Sequence, residues 1–281
     1  MTATHPPPAH HNAKALKLLA ILAHPDDESM GMGGTLAYYA AEGVSTHLVT
    51  ATRGEKGWFG LPEEDPGPFG LGAIRQAELL NAAHMLGLQS VDFLNFIDGE
   101  LAQADIHEAT AHIVRLVRSI RPQVVVTFGP EGDYGHPDHI AISQLTTGAL
   151  VCAADPLYPN EDLPTHRVDK LYTMVSSPEL AKLLSEQFGD QIGIDVDGVR
   201  RGLVTWPEWA ITTRLEVGEH WRTARQAILC HRSQLPSLGD PEHLPDEFWR
   251  ALITAQNTYI RQYSLVEVGP GVERDLFTGI R

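Results

Sequence analysis

The run His24-Pro25-Asp26-Asp27-Glu28 sets one imidazole and three carboxyl groups side by side. His24 and Asp27 are three positions apart, so one helical turn or a tight loop can aim both at a single ion, with Asp26 facing the same cavity from another angle. An acid-dressed helix start would account for Asp26, Asp27 and Glu28, because the helix dipole favours negative charge at that end. It does not account for His24, whose cationic form is unwelcome there. A second run, His136-Pro137-Asp138-His139, carries two imidazoles at i and i+3, which share a helix face. Alone, it also reads as a polar helix start with proline in the first turn. Two His-Pro-Asp runs in one chain point further, to a shared centre of nitrogen and oxygen donors, and that donor set suits zinc.

Such runs need strand ends to bring them together. Residues 17–23 (KLLAILA) form a continuous apolar stretch, as expected of a strand buried on both faces, and His24 follows directly. Residues 124–128 (VVVTF) form another, followed by the glycine-rich turn 129–135 and then His136. Between them the chain predicts a helix over 33–42 stopped by Gly43, a strand over 44–51, a helix over 73–86 closed by Gly87, a strand over 91–96 and a helix over 106–120 ahead of Pro122. A helix over 140–151 comes next. This rhythm predicts a mostly parallel sheet with helices on both faces, a Rossmann-like α/β fold whose ligand crevice lies at the carboxyl ends of the strands.

The second half is less regular: a strand over 170–175, a helix over 178–188, an alternating strand over 211–217 and helices over 220–231 and 248–263. With no internal repeat or low-complexity linker, residues 15–281 predict one domain, preceded by a loose tail over 1–14. Residues 54–72, rich in Gly, Pro and acid, predict a loop beside the site.

The chain has 281 residues, 43% of them hydrophobic, enough for a sizeable buried core. Its net charge of −15 repels phosphate backbones and argues against a nucleic-acid partner. No apolar run approaches the roughly 20 residues of a membrane span. The first residues lack the basic start and apolar stretch of a secretory signal, and the two cysteines, Cys152 and Cys230, demand no disulfide. A cytoplasmic location is the expectation.

Taken together, the two His-Pro-Asp runs resemble the LmbE-like, or PIG-L, family of zinc-dependent de-N-acetylases, over roughly residues 16–235. The resemblance implies a Rossmann-like fold and hydrolysis of an N-acetyl group on an amino sugar or sugar conjugate, with a small N-acetylated sugar as the partner. It implies His24, Asp27 and His139 as ligands to Zn2+, Asp26 as general base, and His136 as the stabiliser of the oxyanion. Tyr134 resembles a mobile tyrosine that some members use at the same oxyanion, and Asp138 would orient His136 and keep it cationic. Three protein ligands would leave a position for water, which the metal acidifies and Asp26 deprotonates. Glu55, Arg75 and Asp98 stand where the family touches sugar hydroxyls or a polar aglycone, although Arg75 and Glu78 also suit a plain i,i+3 helix pair. The late run His231-Arg232-Ser233-Gln234 resembles a family stretch of mainly structural role.

Other chemistries lack their motifs. There is no Gly-x-Ser-x-Gly and no P-loop, and Leu36 stands where a dinucleotide fingerprint after Gly31 needs its third glycine. Gly31, Gly33 and Gly34 fit better as close-packing positions of the first helix. Two competing readings are an amidase of a thiol conjugate and a sugar-binding relative without catalysis. The full set of His24, Asp26, Asp27, His136 and His139 argues against the second.

Overall fold

The structure, a computed structural model, describes residues 15–159, 162–189, 193–196, 198–239 and 241–281. The tail expected over 1–14 lies outside the described residues.

The N-terminal half alternates strand and helix: β1 (Lys17–Leu22), α1 (Asp27–Ala41), β2 (Ser45–Thr50), α2 (Gly67–Leu86), β3 (Ser90–Phe93), α3 (Ile106–Ile120), β4 (Val124–Phe128) and α4 (Pro137–Ala154). Then follow β5 (Lys170–Met174), α5 (Pro178–Phe188), a hairpin of β6 (Ile194–Val196) and β7 (Val199–Arg201), β8 (Thr213–Arg214), α6 (Trp221–Ile228), α7 (Asp246–Gln256) and β9 (Thr258–Ser264). The seven-stranded sheet runs β3-β2-β1-β4-β5-β9-β8. Its first five strands are parallel, while β9 is antiparallel to β5 and β8 antiparallel to β9. Strand order reverses between β1 and β4, where Leu18 pairs with Val124 and Ala20 with Val126. Helices leaving those two neighbours depart to opposite faces, which opens a crevice at their carboxyl ends.

The predicted fold class therefore holds, and its reasons are local. Leu18 to Leu22 and Val124 to Val126 are fully buried, as expected of strands covered on both sides. Helix α3 presents Ala109, Ile113, Val114 and Val117 to the core, at helical spacing, and its first turn is capped by Asp105, whose carboxylate accepts from the amides of His107 and Glu108. Helices α1, α2, α6 and α7 pack together, and α3 packs against α4, so both faces are covered. Among the described residues no helix is long and apolar enough to cross a membrane.

Three expectations are corrected. Helix α1 begins at Asp27, not residue 33, and is kinked at Met32 (φ −148°, ψ 22°). The loop after β2 ends earlier than expected, because α2 starts at Gly67. The helix expected over 248–263 is two elements: α7 stops at Gln256, and residues 258–264 (TYIRQYS) form β9 against β5 and β8. β-Branched and aromatic residues in that stretch suit a strand, and the buried Asn257 at the junction accepts a hydrogen bond from Thr35 at 2.6 Å.

The glycines of α1 act in packing, as expected. A Cβ on Gly34 would stand 2.9 Å from Cγ2 of Ile253 and 3.1 Å from Val217, and one on Gly33 would stand 3.2 Å from Ala224. Gly34→Leu is therefore expected to destabilise the fold by about 1–3 kcal/mol through overpacking, even though leucine is the better helix former. Denaturant unfolding checks this, and a variant as stable as the parent would show that α7 yields freely.

Candidate active site

The segment after β1 and the segment after β4 meet in the crevice. Nδ1 of His24 lies 3.2 Å from Nε2 of His139, and 3.7 Å from Oδ2 of Asp27. Nε2 of His139 lies 3.5 Å from Oδ1 of Asp27. All three side chains are buried. Four donors around a cation at bond lengths of about 2.0–2.1 Å stand roughly 3.3–3.4 Å apart in a tetrahedron. The His24–His139 and His139–Asp27 Oδ1 spacings are near that value, while the 3.7 Å contact is to the other Asp27 oxygen. Two trios, His24 with His136 and His139 and His24 with Asp98 and Asp138, also bring their donor atoms within 4.8 Å of one another. The chemistry of the donors agrees: two imidazole nitrogens and a carboxylate this close, out of water, repel one another unless a proton or a metal cation lies between them.

The rest of each side chain is fixed by the backbone and by neighbours. Oδ2 of Asp27 accepts from the amides of Ala23 at 3.1 Å and His24 at 2.7 Å. Nε2 of His24 lies 3.1 Å from Oδ1 of Asp98 and 3.3 Å from Oδ2 of Asp138. A proton on that nitrogen, donated to the carboxylates, leaves Nδ1 as the lone pair facing the cradle, the usual arrangement behind a metal-binding histidine. The ring of His139 stacks on Phe128, centroids 3.8 Å apart and planes 13° apart.

Two expectations for carboxylates change here. Asp138 does not lie on the His136 ring. Its Oδ2 accepts from the Gly99 amide at 2.7 Å and its Oδ1 from the Leu101 amide at 3.2 Å, which leaves it against His24. Asp98, expected at a sugar hydroxyl, is buried on the same imidazole edge, with Oδ2 accepting from the Lys56 amide at 3.0 Å. His136 instead caps α4, its Nδ1 accepting from the Asp138 amide at 3.1 Å. An accepting Nδ1 carries no proton, so the ring is neutral and its remaining N–H is on Nε2. Burial, reinforced by His24 and His139, pulls its pKa down to about 3. The expected cationic His136 is thus corrected to a neutral donor. A nitrogen of His136 lies within 4.8 Å of those of His24 and His139, and Tyr134 meets both His136 and His139 edge-on at centroid distances of 5.8 and 5.2 Å.

Asp26 sits apart from the cradle in an unusual backbone state, φ 118° and ψ −28°. For a residue with a Cβ this costs on the order of 1–3 kcal/mol and persists only where neighbours over-determine it. Those neighbours are visible. Nη2 of Arg75 donates to the Pro25 carbonyl at 2.6 Å and to Oδ2 of Asp26 at 3.2 Å, while Nη1 donates to the Gly54 carbonyl at 3.0 Å. The Asp26 amide donates to Oε2 of Glu28 at 3.0 Å. Burial pushes the Asp26 carboxyl up to about 6, with Arg75 opposing and Asp27 assisting. For Asp27 burial acts in the same upward direction, but His139 and His24 outweigh it and hold the carboxyl well below the usual range.

Glu55, expected at the substrate, uses Oε2 internally, accepting from the amides of Arg53 at 3.3 Å and Asp98 at 3.2 Å. Arg75 and Glu78 do not pair along their helix. Glu78 accepts from the Ser233 amide at 2.8 Å and hydroxyl at 2.7 Å, and Gln234 donates to the Gly57 carbonyl at 2.9 Å. His231 reaches Oε1 of Glu28 at 2.8 Å. The turn 231–234 thus underlies the site more closely than its plain sequence signal implies. Glu28, read in the sequence as a helix-start acid, and His231, read there as mainly structural, meet through a contact that only the packed fold makes.

Residues 19–150 match the family model described as PIG-L: GlcNAc-PI de-N-acetylase. The 1D-myo-inositol 2-acetamido-2-deoxy-alpha-D-glucopyranoside deacetylase of Rhodococcus jostii is 34% identical over 94% of this chain and 98% of its own length. A conserved protein of Thermus thermophilus superposes with a TM-score of 0.63 at 27% identity, over 90% of this chain and 97% of that one. The N,N'-diacetylchitobiose deacetylase of Pyrococcus horikoshii shares the fold, with a TM-score of 0.60 at 24% identity over 84% of this chain and 73% of that one.

Proposed function

The chain belongs to the PIG-L, or LmbE-like, family of metal-dependent de-N-acetylases, and from that premise we propose that it is a zinc enzyme removing the acetyl group from a glucosamine unit linked to inositol. The observation that carries the chemistry is the buried convergence of His24 Nδ1, His139 Nε2 and the Asp27 carboxylate beside the separately held carboxyl of Asp26. The substrate follows the relatives that match nearly end to end, whose names specify an inositol-linked N-acetylglucosamine.

His24, Asp27 and His139 would hold the ion. Bound there, zinc supplies Lewis-acid polarisation of the amide carbonyl and acidifies a water for attack near neutral pH. Asp26 takes the proton of the attacking water as its oxygen bonds to the acetyl carbon. The same carboxyl then returns that proton to the leaving nitrogen as the C–N bond breaks, releasing acetate and the amine. Nε2–H of His136 donates to the carbonyl oxygen as negative charge develops, and the Tyr134 hydroxyl approaches the same oxygen. Arg75 fixes the base, and Glu55 shapes the wall next to Asp98, so direct sugar contacts are assigned to the loop around Trp58. The unpaired Cys152 and Cys230 support a reducing, cytoplasmic setting.

The deciding assay is amine release from 1D-myo-inositol 2-acetamido-2-deoxy-α-D-glucopyranoside and from free N-acetylglucosamine, with and without chelator and zinc. Chelator-sensitive release, faster with the inositol conjugate, is expected; no release from either would overturn the proposal.

The pH dependence carries its own expectation. The base works ionised, so kcat/KM should rise with pH through the Asp26 pKa. That acid limb should fall at or below about 6, because a bound cation draws a neighbouring carboxyl down. Arg75 lowers the same pKa. Arg75→Met should therefore move the limb to higher pH by about one unit. A pH–rate profile of the variant checks this, and an unmoved limb would assign it to another group.

A further inference from the structure

One peptide unit in the site is gripped at both ends. The carbonyl of Pro25 accepts from Arg75 at 2.6 Å, and the amide of Asp26, in the same peptide plane, donates to Glu28 at 3.0 Å. With that plane held on one side and α1 starting at Asp27 on the other, Asp26 turns between them at φ 118°, which sets where its carboxyl can stand. Arg75 is anchored independently on the Gly54 carbonyl. Glu28 needs an anchor of its own. Oε1 of Glu28 accepts from Ser29 at 2.5 Å and meets Nε2 of His231, 203 residues away in sequence, at 2.8 Å. Both Glu28 and His231 are completely buried. The other ring nitrogen of His231, Nδ1, has no hydrogen-bond partner among the described residues. The polar contacts of this ring are therefore directed at Glu28 and Ser29.

We infer that His231 and Glu28 form a buried strut that holds the Pro25–Asp26 peptide, and that His231 is a positioning residue for the base. Its hydrogen bonds go to Glu28 and Ser29 and not to His24, Asp27 or His139, and beside its hold on Glu28 its charge also lowers the Asp26 pKa. This rests on the reading of Asp26 as the base. A histidine that merely fills the core would contribute to stability alone. A strut contributes to the rate, since a displacement of about 1 Å in a reacting group costs up to ~10²-fold.

The test measures kcat, KM, zinc content and thermal midpoint for His231→Leu, His231→Gln and Asp26→Asn, on the full chain with the inositol-linked N-acetylglucosamine. His231→Leu is expected to keep its zinc and its KM while kcat falls about 10–10²-fold. His231→Gln, whose amide N–H can still reach Glu28, is expected to recover most of that loss. Full kcat in a folded, zinc-replete His231→Leu overturns the strut, as does an equal loss in His231→Gln or a loss of zinc. If His231→Leu does not fold, Glu28→Asp reads the same link, because the shorter acid cannot span the Asp26 amide and His231. Full kcat in Glu28→Asp then overturns it. Asp26→Asn separates the two readings: if it turns over normally the base assignment has failed, whereas its loss alongside an unaffected His231→Leu sinks only the strut.

Discussion

Asp26→Asn is expected to bind its full complement of metal and to turn over about 10²–10⁴-fold more slowly than the parent, the usual contribution of a positioned acid–base group. The expectation follows from how the two adjacent aspartates are divided. Asp27 has its Oδ2 on two backbone amides and its Oδ1 toward His139, and the proposal places it among the ligands. Asp26 has its carboxyl on Arg75 and is held above the ordinary carboxylate range, up to about 6, first by burial. A carboxyl tuned toward neutrality can take a proton and return it within one turnover. Asparagine keeps the shape and an acceptor for Arg75 but cannot carry the proton. Metal analysis beside steady-state rates checks this, and an Asp26→Asn variant that loses its metal would place Asp26 among the ligands.

The second large effect separates two histidines of one motif. His139→Ala should lose metal at concentrations where the parent is saturated, because it removes one of three converging donors. Activity should go with it. His136→Ala should keep the metal and lose about 10²–10³-fold in kcat, the typical loss for one donor to a developing oxyanion. The distinction stands on hydrogen bonding, since Nδ1 of His136 is already used by the Asp138 amide while Nε2 of His139 faces His24 directly. Metal loss in His136→Ala with retention in His139→Ala would exchange their roles.

Much of the fold was legible because its signals are local. The bounds of α3, β4 and α5 follow from a capping Asp105, the unbroken VVVTF run and the Ser177-Pro178 start. The end of the chain was not legible in the same way. Residues 246–256 and 258–264 both carry apolar side chains at spacings a helix accepts, and only pairing with β5 and β8 decides that the second is a strand. Within the site, the two His-Pro-Asp runs announced themselves by composition and by their place after apolar strands. Their partners did not. Asp98 and Asp138 meet on one imidazole, and Glu28 meets His231, through contacts made only when distant elements pack. An acidic residue one turn from a histidine looks the same in sequence whether it serves that histidine or another.

The borders of the sheet have a consequence for how the protein behaves in a crowded solution. Its two central strands, β1 and β4, are apolar runs, KLLAIL and VVVTF, the composition that assembles readily with other chains when left uncovered. Yet the sheet terminates on one side in β3, four residues long, and on the other in β8, two residues long. A four-residue border presents few free amides and carbonyls to template a further strand, and the outer side of β8 is already taken by Glu273, whose amide donates to the Thr212 carbonyl and whose carbonyl accepts from the Arg214 amide. The aggregation-prone centre is thereby shielded by brevity at one rim and by cover at the other, and the native molecule is expected to resist edge-to-edge growth until partial unfolding strips β8 and β9 from β5.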